Sequence, residues 1–205
     1  MNLPVISREL PLLLASSSPR RKMLLKQIRL PFRSLSTDVQ EDIGEGHPER
    51  NACILAEKKA RSVFSRSSGN WVLGADTMVV LGCDILGKPE SEENAASMLR
   101  RLSGKEHDVI TGFCLLDPEG HRAHAEAVIT KVKIKGLSEK EIKGYVASGE
   151  PLDKAGGYAI QGLGAFMVER LSGSYTNVVG LPLCALVKAL LAAGAVRVFP
   201  LTDGA

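Results

Sequence analysis

Aromatic side chains are scarce, nine in 205 residues (4%), and no charge of one sign dominates: 26 Lys and Arg stand against 23 Asp and Glu, interspersed along the chain. A formal charge of +3 with so few rings argues against a nucleic-acid binder. Long hydrophobic runs are also missing. The longest, Leu181 to Val196, carries Lys188 in its middle and is too short and too polar to span a bilayer. The stretch Leu10 to Ala15 follows Arg8-Glu9 and is too short for the apolar segment of a secretion signal. A cytoplasmic location with no membrane partner is the default expectation.

Cysteine is sparse too. Cys53, Cys83, Cys114 and Cys184 lie far apart without a C-x-x-C pair, each beside apolar residues, and read as buried reduced thiols. Several motifs are absent. Lys88 is followed by Pro89, so there is no P-loop, and Gly162 and Gly164 begin a G-x-G that ends on Met167, so there is no dinucleotide fingerprint. His47, His107, His121 and His124 show no zinc spacing, and no G-x-S-x-G elbow is present, which leaves covalent catalysis without support.

What is present is an ordinary globular composition, 44% hydrophobic, enough to bury one substantial core or two small lobes around a cleft. The order of elements is α/β. Pro11 to Ala15 reads as a buried strand, and Ser18-Pro19 as an N-cap and first-turn proline for a helix through about Leu30, with Leu24 and Ile28 inward. A strand at Phe32 to Thr37 and a helix at Ala52 to Phe64, with helical spacing at Ile54, Leu55 and Ala60, come next. Trp71 to Leu81 is strand-like on both sides of a Gly-Ala-Asp-Thr step, and Ser91 opens a helix to about Leu102. Asp108 to Leu116 and Ala125 to Ile134 form a hairpin around the turn at 117–120, so the sheet is expected to be mixed. Ser138 and Glu141 make a capping box for a helix that stops before Gly149, Phe166 to Glu169 can form a strand, and Leu183 to Leu191 close the chain as an amphipathic helix. The tail after Val198 reads as frayed.

Chemistry concentrates in three places. In "LLLASSSPRRK" a buried strand delivers serines, Arg20, Arg21 and Lys22 to a helix N-terminus, where free amides and guanidinium groups suit an oxyanion. A capped surface helix with a solvated basic turn is the plainer alternative, although cations there oppose the helix dipole unless an anion is present. In "GADT", Asp76 interrupts an apolar strand pattern, either as a hydrogen-bonded aspartate at a strand break or as a buried carboxylate that meets a metal or a cation. Glu41, Lys59 and Lys88 read singly as surface charges; together they would complete a triphosphate site with carboxylates on a divalent cation and lysines on phosphate oxygens.

In this order "LASSSPRRKMLL", "LAEKKA", "LGADTMVV", "LGKPES", "MLRRLSGKEHDVITG", "YVASGEPLDKAGGYAIQGLGAFMVERLSGSY" and "NVVGLPL" resemble the Maf family of nucleoside triphosphate pyrophosphatases, from Leu12 to about Leu191. The resemblance implies a single domain over 1–205, with a core at about 10–197: a twisted mixed sheet of the ITPase-like kind, flanked by helices, with a central cleft between two lobes. It implies cleavage of the α–β phosphoanhydride of a nucleoside triphosphate by water, with Mg²⁺ or Mn²⁺. It assigns the catalytic carboxylate to Asp76, the metal to Glu41 and Asp76, and phosphate contacts to Ser16, Ser18, Arg21, Lys59 and Lys88. Arg20, Thr77 and Gln161 match the dTTP/UTP branch, and the Gln161 amide can pair with a pyrimidine's amide edge. The sister branch acting on 7-methyl-GTP, and a nucleotide-responsive regulator of cell division and septum formation, are the alternatives. The partners implied are the nucleotide substrate and a second copy of the chain, since relatives often dimerise.

Overall fold

The computed structural model describes residues 3–39, 46–67 and 69–201. Among the described residues seven strands form one mixed sheet. They are β1 (Leu12–Ala15), β2 (Phe32–Leu35), β3 (Val72–Leu81), β4 (Asp84–Leu86), β5 (Glu106–Leu116), β6 (Arg122–Ile134) and β7 (Val168–Ser172). Their order is β2-β1-β3-β5-β6-β7, with β4 paired to β3. β1 runs parallel to β2 and β3, whereas β3–β4 and β6–β7 are antiparallel. The expected mixed sheet flanked by helices is therefore found.

The backbone contacts divide the chain into two compact units. The first comprises Met1–Asp76, Thr111–Val128 and Gly180–Ala205. Here β1 is buried at every position, as a strand covered on both faces must be. Helix α1 (Pro19–Gln27) stops earlier than the expected Leu30, because Arg29 takes a left-handed φ of 53° just before Pro31. Helix α2 (Pro48–Phe64) starts a turn earlier than Ala52; its polar first turn opens on Pro48 and carries no apolar signal. Its inward stripe is Ala52, Leu55, Ala56, Lys59, Ala60 and Val63, while Ile54, one of the residues that carry the helical spacing, is 40% exposed. Leu13 and Ala15 of β1 and Val72 of β3 meet Ala56, Ala60 and Val63 in one cluster.

That contact is unusually close. A Cβ on Gly74 of β3 would lie 2.0 Å from the Ala56 carbonyl oxygen, and one on Gly112 of β5 would lie 2.4 Å from the Ala52 carbonyl carbon. Bare backbone at these two positions lets α2 lie directly on the sheet. Packing also reaches before residue 10: Ile6 is buried with its N–H on the Ala195 carbonyl (2.8 Å), and Trp71 Nε1 donates to the Pro4 carbonyl (2.7 Å). Helix α6 (Leu183–Ala192) turns Leu183, Leu186, Ala189 and Leu190 inward.

The second unit comprises Thr77–Ile110 and Ile129–Val179. Helix α3 (Glu92–Leu102) is capped by Ser91, whose hydroxyl accepts from the Asn94 N–H. Helix α4 (Glu139–Val146) has the full Ser138–Glu141 capping box that its sequence announces. Leu99, Leu102, Val132, Ile134, Ile142, Tyr145 and Met167 share the core of this unit. Three 3-10 turns follow α4, at Glu150–Asp153, Ala155–Gly157 and Gly162–Met167. The short helix α5 (Tyr175–Val179), absent from the sequence reading, buries Asn177, whose Nδ2 donates to the Val109 carbonyl and Thr130 Oγ1, both at 2.9 Å.

Two further expectations are corrected. β3 is continuous from Val72 to Leu81, so Asp76 does not mark a strand break. All four cysteines are free, but only Cys114 is fully buried, and Cys83 and Cys184 are exposed. Gly82 and Cys83 form the two-residue turn left when Leu81 pairs with Asp84, and Cys184 lies one step off the inward stripe of α6. Among the described residues no helix is long and apolar enough to cross a membrane.

Candidate active site

In the first unit the chain runs from β1 through α1 to β2 and from β2 through α2 to β3, although β1 lies between β2 and β3. The crossovers therefore leave in opposite directions at β1/β3, the kind of switch point at which open α/β sheets place ligands, outside the carboxyl ends of the strands. The register pairs Ala15 with Gly74, so Ser16 and Asp76 lie within two positions of each other at the carboxyl end of that pair.

Strand periodicity then decides what Asp76 meets. Val72, Gly74 and Asp76 share a face, and on that face Gly74 presses on Ala56 and Ala60. The next inward residue of α2 is Lys59, and its Nζ lies 2.6 Å from Asp76 Oδ1. Both residues are buried, at 7% exposure. An unpaired carboxylate here would be costly to bury, so the ammonium compensates it. Lys58, one residue away, points to solvent, and helical phase alone separates the two.

Ser16 and Arg21 form the second part. Arg21, only 9% exposed, donates from Nε to the Gly180 carbonyl (2.9 Å) and from Nη1 to Ser16 Oγ (3.2 Å). Ser16 Oγ also accepts the Ser18 N–H at 3.2 Å, and the Ser16 carbonyl accepts from Ser34 Oγ at 2.6 Å. Ser18 occupies the N-cap position, but its side chain caps nothing. The first turn of α1 holds no acid and carries Arg20, Arg21 and Lys22, with Arg20 half-buried.

Of the residues expected in the site, Ser16, Ser18, Arg20, Arg21, Lys59 and Asp76 thus fall in one unit around β1, β3 and their helices. Glu41 lies outside the described residues. Thr77, Lys88 and Gln161 belong to the second unit: Thr77 is half-buried in β3, Lys88 is exposed in the loop after β4, and Gln161 is half-buried just before the 3-10 turn at Gly162–Met167.

Comparison with known proteins bears on this arrangement. The family model described as Maf-like protein matches residues 11–193. The chain belongs to the Maf-like family. A dTTP/UTP pyrophosphatase of Syntrophotalea carbinolica is 47% identical over 191 residues, 92% of this chain and 87% of that protein. One from Geobacter sulfurreducens is 49% identical over 185 residues, covering 90% and 97% of the two chains. A third, from Geobacillus sp., is 50% identical over 178 residues, covering 86% and 95%.

Among the described site residues of this Maf-like chain, Asp76 offers carboxylate oxygen, the ligand type that Mg²⁺ takes, with Oδ1 held by Lys59. The sequence reading missed a second acidic group. Asp117, Glu119 and His121 bring one ligand atom each to within 4.8 Å at the turn between β5 and β6, Asp117 buried and the other two exposed. Their i, i+2, i+4 spacing is the only signal that could have shown it. Asp117 Oδ1 already accepts the N–H groups of Glu119 and His121, both at 2.9 Å, which is the ordinary work of a turn aspartate.

Proposed function

We propose that the protein is a nucleoside triphosphate pyrophosphatase that cleaves the α–β phosphoanhydride of dTTP and UTP, releasing the monophosphate and pyrophosphate. The observation that carries this reading is the buried Lys59–Asp76 pair on β3, with the Ser16–Arg21 contact following the last β1 residue paired to β3. The 47–50% identical relatives named dTTP/UTP pyrophosphatase supply the substrate class.

In this reading the nucleophile is water. Its oxygen forms a bond to the α-phosphorus as the bond from that phosphorus to the bridging oxygen breaks, and pyrophosphate leaves with the electron pair. Asp76 orients the water and takes its proton. Arg21, braced on Gly180, presents a guanidinium of fixed direction to phosphate oxygens, with Ser16, Ser18 and the first turn of α1 beside it. Lys59, which donates to Asp76, and Lys88 supply ammonium charge for the phosphate oxygens. Asp76 and Glu41 would hold a Mg²⁺ or Mn²⁺, which when bound supplies Lewis-acid neutralisation of phosphate charge. Arg20, Thr77 and Gln161 select the base, a reading that rests on the family pattern and on the amide chemistry of Gln161. The setting in this reading is the cytoplasm.

The test measures pyrophosphate release from dTTP, UTP, CTP, modified pyrimidine triphosphates and 7-methyl-GTP, by the parent and by Asp76→Asn. The amide keeps the shape and loses the charge and basicity, so turnover should fall roughly 10²–10⁴-fold. An Asp76→Asn protein as fast as its parent removes Asp76 from the mechanism, and a preference for 7-methyl-GTP overturns the pyrimidine assignment.

A further inference from the structure

Gly162 and Gly164 belong to no nucleotide fingerprint, yet both are closely packed, Gly162 against Glu150 and Gly164 against Ala159 and Tyr145. A Cβ on Gly162, whose φ is +73°, would meet Glu150 Oε2 at 2.5 Å. One on Gly164 would meet the Ala159 carbonyl oxygen at 2.3 Å and Tyr145 Oη at 2.7 Å. The backbone is wrapped around a carboxylate and a phenol.

Four hydrogen bonds show what the wrapping does. Glu150 Oε2 accepts the Leu163 N–H at 3.0 Å, and Oε1 accepts the Gly164 N–H at 2.9 Å. Tyr145 Oη donates to the same Oε1 at 2.8 Å and accepts the Ala159 N–H at 3.2 Å. Residues 159 and 163 stand two positions to either side of Gln161, so the amides flanking it are tied to one Tyr145–Glu150 pair. The carboxylate also faces the opening of the 3-10 turn at Gly162–Met167, where N–H groups have no partner within the turn.

The groups keep the protonation this needs. Burial pushes the Glu150 carboxyl up, but the Gly164 and Leu163 amides, Tyr145 and Lys154 together bring it below its ordinary value. Burial first, and then the bond to Glu150, push the Tyr145 phenol well above its ordinary value, so it stays a donor. Tyr145 itself is anchored in the core of the second unit with Ile142 and Met167.

We propose that Glu150, braced by Tyr145, is a positioning residue for base selection, setting the place of Gln161 by holding the backbone on both sides of it. The proposal rests on the pyrimidine triphosphate reading and names no new contact with substrate. Its signature is a change in discrimination between bases, carried by KM, with a smaller change in kcat.

The experiment measures kcat and KM for pyrophosphate release from dTTP, UTP and dGTP by the parent, Glu150→Gln, Gln161→Ala and the double variant, with a thermal melt of each. Glu150→Gln puts an NH₂ where one of the two amides now finds an acceptor. It should reduce the preference for dTTP over dGTP by roughly tenfold, about the loss of one well-made hydrogen bond. In the Gln161→Ala background the same substitution should change the preference little further, because both act on one interaction. Multiplicative losses in the double variant, or an equal fall in kcat for all three nucleotides, would assign Glu150 a merely structural role and overturn the proposal. If Glu150→Gln does not fold, Tyr145→Phe decides: it removes the brace, keeps the ring, and should shift the preference in the same direction; an unchanged preference overturns the proposal. A parent that releases no pyrophosphate from dTTP or UTP defeats the proposed function itself. A parent that releases it without preference over dGTP leaves the hydrolase standing and removes only the inference.

Discussion

The close seat of α2 on β3 makes Gly74 the most demanding position in the first unit, and Gly74→Ala should cost both stability and activity. The added methyl would lie 2.0 Å from the Ala56 carbonyl oxygen and 2.8 Å from the Ala60 nitrogen, both helix backbone, so no rotamer change relieves it. Restoring an ordinary contact requires the helix to withdraw by about 1 Å or more, a gap that forfeits roughly a quarter to a half of each dispersion contact across the seam. Ala56, Ala60 and Val63 make those contacts with Leu13, Ala15 and Val72. Overpacking of this kind costs about 1–3 kcal/mol, and the backbone location places Gly74→Ala at the upper end. The same withdrawal lengthens the 2.6 Å Lys59–Asp76 contact two residues along the strand, so pyrophosphate release should fall even where the variant remains folded. Urea denaturation with a parallel rate assay reads both effects. Gly144→Ala is the contrast: that glycine lies inside α4 with nothing within 4 Å of the added carbon, so the change should stabilise by about 0.5–1 kcal/mol. A Gly74→Ala protein with the parental midpoint and rate would refute the close-packing argument.

Lys59→Met should destabilise by about 3–5 kcal/mol by leaving the Asp76 carboxylate buried without its cation, and adding Asp76→Asn should restore part of the loss. Equal denaturation midpoints for the parent and Lys59→Met would show that the pair is not coupled. His107 is buried with Nε2 2.7 Å from Tyr158 Oη and Nδ1 without a partner, and burial, opposed by nearby Glu106, lowers its pKa from 6.5 to about 4. A depressed histidine pKa means that the unfolded chain takes up the proton first. Stability from this site is therefore complete above about pH 6.5 and falls by at most about 3 kcal/mol as pH drops toward 4. The difference in unfolding free energy between the parent and His107→Gln, measured across that range, should slope below pH 6.5 and be flat above it; a flat difference throughout would remove His107 as the cause.

Much of the fold was readable because its elements carry local signals: an all-apolar run for β1, Ser91 and the Ser138–Glu141 box for two helix starts, and turn residues between β5 and β6. Readings failed where local identity and tertiary environment part company. The first turn of α2 is polar, Cys83 sits in a two-residue turn that only strand pairing defines, and α5 is held by Asn177 bonds that span 68 and 47 residues of sequence. Residues that contact one another only through the fold leave no mark on their neighbours.

The site shows the same division at the level of single residues. Lys59 looks like one of two adjacent surface lysines, yet the stripe Ala52, Leu55, Ala56, Ala60 and Val63 already contains position 59 in its phase, so its burial was legible to anyone who extended the helix. Asp76 was legible as an anomaly, a charge in an apolar strand, but the identity of its partner depends on the Gly74 contact that lays α2 against β3. Glu150 was not legible at all: nothing in "GEPLD" distinguishes a surface acid from one that holds two amides thirteen and fourteen residues away. The glycines were the available signal. Where a glycine sits in a tight segment without a ligand motif to explain it, what its missing Cβ would strike is informative: at Gly74 it is the α2 backbone on either side of Lys59's turn, at Gly164 it is Tyr145, and at Gly162 it is Glu150 itself.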